Sequence, residues 1–199
     1  MDSIIEQFWA QTWIDWTILI TSIFYIILAA RENIWCWFFG IISCSLWGYV
    51  SFNANLVADG WLQVFYVGIS FWGIYEWKFQ KKSIKDEALK ISQLSLFQHF
   101  KIIAIGVLIS FPLVYFLQKY SFAEAIYLDS LTTVFAIIAT FMVARKIIEN
   151  WLYWIVIDVI YIYLYGSRGL WMLAVIMTIY IVIAVFGYFN WKKELRMNG

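Results

Sequence analysis

Seven runs of apolar residues, each long enough for a helix to cross a lipid bilayer, dominate the pattern along the chain. They cover roughly 13–30, 34–52, 57–77, 99–117, 125–144, 150–166 and 169–191. A spanning helix needs about 20 mostly apolar residues, and the shortest of these runs, 150–166, lies at the low end of the workable range. Short polar breaks separate them at Arg31 to Asn33, Asn53 to Asn55, 78–93, Gln118 to Tyr120, Arg145-Lys146 and Gly166 to Arg168. The pattern leaves no room for an eighth helix. It predicts an all-α integral membrane protein of seven transmembrane helices.

The distribution of basic residues orients the helices. Of the 14 Lys and Arg, twelve fall on one side: Arg31, Lys78, Lys81, Lys82, Lys85, Lys90, Lys101, Arg145, Lys146, Lys192, Lys193 and Arg196. Only Lys119 and Arg168 fall on the other. Positive charge is retained on the cytoplasmic side, which predicts an outside N-terminus and a cytoplasmic C-terminus. The longest break, with Lys81, Lys82, Lys85, Lys90, Asp86 and Glu87, reads as a solvated cytoplasmic linker along anionic headgroups. His99, the only histidine, sits where this linker enters the fourth helix.

Composition narrows the class. Apolar residues make up 64% and charged residues 14%, too few to clothe a soluble domain of 199 residues. Trp and Tyr, 13 of each, suit membrane interfaces because one end of the ring system is apolar and the other wet. A net charge of +1 gives no case for a nucleic-acid partner. Asp2 and Glu6 replace the basic cluster of a signal peptide, so the first run reads as a retained helix. Cys36 and Cys44 lie on one helix about 12 Å apart along its axis, too far for a disulfide, and read as packing residues. No metal or cofactor is expected, because one histidine has no Cys or His beside it. Catalytic arrangements of the hydrolase, zinc-protease or phosphate-loop kind are absent from the sequence, so an enzyme is not expected.

Two pairs of matching marks point to a duplication. Glu32-Asn33-Ile34-Trp35 opens the second helix and Glu149-Asn150-Trp151 the sixth, 117 residues apart. Gly73 to Lys78 closes the third helix and Gly187 to Lys192 the seventh, 114 apart. Three helices end on the side opposite to where they began, so two copies in one orientation need an extra crossing, which the fourth helix supplies. The expected division is 1–77 as a first bundle, 78–98 as the linker, 99–117 as a linking helix and 118–199 as a second bundle. Parallel repeats of this kind carry substrate sites near the midplane where the halves meet.

Most acids, among them Asp15, Asp59, Glu76, Glu124 and Glu149, fall near helix ends. Asp158 falls about 11 Å inside the bilayer boundary, where a charge costs at least about 2.5 kcal/mol. Trp151, Trp154, Asp158, Tyr161 or Ile162, and Tyr165 share a helical face by their 3–4 spacing. Aromatic faces with one carboxylate suit a planar cation. Packing and an interfacial belt are the alternative for the tryptophans, and a helix–helix hydrogen bond for the acid. Gln63 and Tyr66 on the third helix, with Asn53 and Asn55 outside it, are further polar candidates, and Gln63 serves a helix–helix bond equally well. Asp129 and Tyr127 are candidates for a gate.

On the sixth helix, Glu149-Asn150-Trp151-Leu152-Tyr153-Trp154 followed by Asp158 resembles the Trp-x-x-Trp-x-x-x-Asn signature of the PnuC family of bacterial vitamin transporters. Phe38-Phe39-Gly40 with Leu46-Trp47-Gly48, Leu62-Gln63-Val64-Phe65 and Asp129-Ser130 also resemble that family. The resemblance implies two SWEET-like three-helix bundles joined by a linking helix in the bacterial inner membrane. It implies uptake of an unphosphorylated vitamin by facilitated diffusion, trapped by a cytoplasmic vitamin kinase acting as a functional partner. Carried over by position, Trp151 and Trp154 stack on the substrate ring, residue 158 contacts its polar part and Gln63 hydrogen-bonds it. Trp47 is a further candidate from the second motif. Nicotinamide riboside carriers resembling this chain have Asn where it has Asp158, and this departure favours thiamine, with nicotinamide riboside as the alternative. An ion or proton channel through Asp158 and Asp129 is the alternative class. Homo-oligomerisation stays open.

Overall fold

The computed structural model describes residues 4–54, 57–79, 89–120 and 126–198. Asn55, Glu124 and the charged stretch from Lys81 to Glu87, all weighed above, lie outside those residues. The described chain is helical: α1 (Ile4–Trp9), α2 (Trp13–Ala30), α3 (Trp35–Asn53), α4 (Val57–Phe79), α5 (Leu96–Tyr120), α6 (Ile126–Ala144), α7 (Asn150–Ser167) and α8 (Trp171–Asn198). The seven apolar runs correspond to α2–α8. The six-residue α1 corrects the expectation that no eighth helix fits. It is too short to cross a bilayer and holds by docking rather than by its own propensity.

Among the described residues, α2, α3, α5, α6 and α8 are long and apolar enough to span a membrane by composition alone. The other two long helices, α4 and α7, carry Asp59, Gln63 and Glu76, or Asn150 and Asp158 among many Trp and Tyr residues. Such helices need neighbours or a cavity to receive their polar side chains.

Packing follows a duplicated scheme. α3 lies between α2 and α4, and α7 lies between α6 and α8. Across the two sets, α2 packs on α8 and α4 on α6, while α5 packs on α6. The chain reversals after α2 and α6 match atom for atom. Glu32 (φ 52) and Lys146 (φ 51) are the left-handed residues that end the two helices. In one reversal the Asn33 N–H donates to Leu28 O at 2.9 Å; in the other the Ile147 N–H donates to Met142 O at 2.8 Å. Glycine usually fills such a position, because a side chain there is strained. Here the two residues, 114 positions apart, are joined instead by a 2.7 Å contact between Lys146 Nζ and a Glu32 carboxylate oxygen. The duplication thus runs at a uniform offset of 114. The Glu32-Asn33 and Glu149-Asn150 match, read as an offset of 117, is out of register by three.

Two sequence readings of the linker change. Leu89 and Ile91 are buried, and Ser92 forms a parallel bridge with Ile147, donating to Lys146 O and accepting from Ile148 N–H at 2.9 Å each. This stretch is therefore docked on the α6–α7 reversal rather than solvated, and α5 begins at Leu96, earlier than expected. His99 is fixed there too, with Nδ1 3.1 Å from the Tyr153 hydroxyl and Nε2 3.7 Å from Glu149.

Candidate functional site

A cavity of about 1120 Å³ lies between the two sets of helices. At one end its wall includes Gln7 of α1, Asp15 of α2, and Arg168 in the turn after α7. At the other it reaches Ala29, Val143, Trp151 and Ala184. Apolar helices would collapse on such a space unless polar side chains kept it hydrated or filled.

α7 supplies the chemistry. Trp151, Trp154, Asp158 and Tyr165 all line the cavity, because their 3–4 spacing sets them on one face. Asp158 is 4% exposed, and among the described residues no Lys, Arg or His pairs with it. Trp154 is half-buried beside it. Trp47, Gln63 and Tyr66 line the cavity from α3 and α4. Tyr161 does not line it. That ring stacks on Tyr165, with centroids 5.5 Å apart, and packs on the Ala136, Ala139 and Ile157 cluster against α6. The proposed gate residues part company. Asp129 binds Arg168 at 2.8 Å, and Arg168 is on the cavity wall. Tyr127 is exposed and accepts a hydrogen bond from Gln118 at 3.3 Å.

Several lining residues escaped sequence reasoning: Ser22 and Tyr25 on α2, Ser43 and Cys44 on α3, and Tyr180 on α8. Cys44, read as a packing residue, faces the cavity, whereas Cys36 is fully buried. The uniform offset was the available signal for two of them, since it pairs Tyr66 with Tyr180 and Cys44 with Asp158.

Four indoles plug the end of the cavity near the α2–α3 and α6–α7 reversals. Trp37 meets Trp77 edge-on at 5.6 Å, Trp77 meets Trp191 at 6.4 Å, and Trp151 meets Trp191 edge-on at 5.4 Å. The hydrogen bonds cross reciprocally between the two sets. Trp77 Nε1–H donates to Ala144 O at 3.1 Å, and Trp191 Nε1–H donates to Ala29 O at 3.1 Å. Both acceptors belong to the last turn of a helix, where carbonyls lack intrahelical donors. Trp151 is not an interfacial residue: it is 3% exposed and serves the plug and the cavity wall together. Trp191→Phe removes the donor together with one of the two fused rings of a fully buried side chain, so it is expected to cost more than the roughly 1 kcal/mol of the hydrogen bond alone. The check is thermal unfolding in detergent, where an unchanged midpoint would mean that this cross-tie carries no weight.

Apolar helices around a closed-ended cavity bearing indoles and a carboxylate define the class of multi-pass membrane transporter. The family model described as "Nicotinamide mononucleotide transporter" matches residues 12–193, so the chain belongs to this family, that of the PnuC transporters. The nicotinamide riboside transporter PnuC of Escherichia coli (strain K12) is 29% identical over 212 residues, covering 94% of this chain and 88% of the relative. That of Neisseria mucosa is 26% identical over 210 residues, covering 100% and 79%. A crystal structure titled "Crystal structure of the Vitamin B3 transporter PnuC" superposes with a TM-score of 0.78 at 24% identity, over 98% of this chain and 87% of that one. The likeness to that structure concerns the fold. Membership establishes a transporter of the bacterial inner membrane, not an enzyme.

Proposed function

We propose that this protein takes up nicotinamide riboside by facilitated diffusion. The observation that carries the reading is Asp158, a buried carboxylate on the cavity wall between indoles, with no cation among the described residues to neutralise it. A planar pyridinium fits that gap: the rings of Trp151 and Trp154 attract it by stacking and cation–π contact, and Asp158 by charge. Thiamine offers the same charge, so the carboxylate does not favour it. The relatives are described as nicotinamide riboside transporters, which supports the riboside and removes the preference for thiamine drawn from residue 158.

The topology proposed with it has seven spans, α2–α8, arranged as two parallel bundles of three with α5 as the linking helix. The N-terminus is outside and the C-terminus cytoplasmic. The repeated packing of α2–α4 and α6–α8 supports the bundles, and the basic residues support the orientation. The indole plug is then the cytoplasmic gate, and the Asp129–Arg168 pair belongs to the outer one. No observation favours an ion pathway. Phosphorylation by a cytoplasmic kinase would trap the vitamin after entry.

Calorimetric titration of purified protein with nicotinamide riboside, thiamine and riboflavin tests the substrate. Micromolar binding of the riboside is the expected result. Binding of thiamine alone, or of none of the three, would sink it.

A further inference from the structure

The polar groups of the cavity are unevenly divided between the repeats. Ser43 on α3 has Ile157 as its counterpart at the offset of 114, and Ile157 is buried against α6. Gly40, one turn before Ser43, corresponds to Trp154. A Cβ at Gly40 would come within 3.1 Å of the Tyr25 ring and 3.3 Å of Ser70 Oγ. The α2–α4 side therefore offers small residues and hydroxyls where the α6–α8 side offers an indole and a carboxylate.

Proton counting shows which hydroxyl is available. Ser22 Oγ lies 2.7 Å from Ile18 O, and a carbonyl can only accept, so the Ser22 proton is committed there. Ser22 Oγ and Ser43 Oγ are 2.6 Å apart, so Ser43 donates to Ser22. Ser43 has then given its only proton to Ser22. It is 8% exposed and lines the cavity with both lone pairs open, and no described protein group donates to it. An acceptor that faces the cavity with no protein donor is free to take a ligand hydroxyl in place of water.

We infer that Ser43, oriented by Ser22, accepts a hydrogen bond from the 2′- or 3′-hydroxyl of the substrate's ribosyl group. The ribosyl group then lies against α2 and α3 while the ring lies against α7. Ser43 thereby selects a glycosylated cation over a bare one. The inference rests on the riboside reading above.

The test titrates the unaltered protein and Ser43→Ala with nicotinamide riboside and with 1-methylnicotinamide, a pyridinium of the same charge without the sugar. Ser43→Ala is expected to weaken the riboside about fivefold to tenfold and to leave the methyl cation unchanged. Equal losses for both ligands, or no loss for the riboside, would overturn the assignment. A second arm needs no mutation. Either the 2′- or the 3′-deoxyribosyl analogue is expected to bind the unaltered protein about fivefold to tenfold more weakly than the riboside, a gap that closes in Ser43→Ala. Equal binding of all three by the unaltered protein overturns the subsite even where Ser43→Ala does not fold. Failure of the unaltered protein to bind the riboside at all is a different result, which removes the substrate reading and the subsite with it.

Discussion

Asp158→Asn is expected to weaken binding of nicotinamide riboside about 10-fold to 100-fold while leaving the neutral dihydro form of the same riboside almost unaffected. The two ligands share shape and sugar and differ in ring charge, so their ratio isolates the carboxylate. The ring nitrogen carries the ribosyl group and has no proton to give, so the carboxylate acts on it by charge. Two unit charges about 4 Å apart at an effective dielectric of about 20 attract by about 4 kcal/mol before desolvation, enough for that range of affinity. Asn matches Asp in size, and Asp158 has no ion pair to break among the described residues, so the fold should survive. Titration of both ligands against both proteins gives four affinities. If the substitution weakens the charged and neutral forms equally, Asp158 acts by shape and its charge has no role in recognition.

Alanine at either of two glycines should disturb the indole plug more than any conservative change on the lipid-facing surface. A Cβ at Gly187 would sit 2.8 Å from the Trp151 ring, and one at Gly73 would run into the Trp37 ring. Neither ring can retreat easily: Trp37 is fully buried against Trp77, and Trp151 against Trp191. Overpacking of this kind costs about 1–3 kcal/mol. Both variants should therefore lower the midpoint of thermal unfolding, and their functional effects should differ. Gly187→Ala displaces a residue of the cavity wall and should weaken riboside binding, whereas Gly73→Ala acts on a ring that does not reach the cavity. Equal affinity in Gly187→Ala and the unaltered protein would show that Trp151 takes no part in the site.

Which residues form the cavity wall was partly legible. Trp151, Trp154 and Asp158 could be read because helical spacing puts all three on one face, and the lipid makes an acid conspicuous. Gln63 stood out as an amide inside an apolar run, and Trp47 came from a short motif resembling a family. Ser22, Ser43 and Tyr25 could not be read in the same way. Serine hydroxyls bond readily to their own helix backbone, so a serine in an apolar run carries no sign of which way it faces. Tyr161 shows the converse failure. Helical spacing gives a face about 100° wide, and a residue on its edge can turn toward a neighbouring helix, as Tyr161 does toward α6.

From the sequence alone came the helical class, the order of the long helices and the paired marks that suggest a duplication. Each depends on local hydrophobicity or on chain length, which adjacent residues are enough to specify. The register of the duplication, the docking of residues 89–95, the four-indole plug and the sharing of the cavity between two sets of helices were decided only by the tertiary structure. They depend on contacts between residues more than a hundred positions apart, such as Lys146 with Glu32 and Trp191 with Ala29. Such contacts are made by helix faces meeting across the fold, and no single helix contains the information for them.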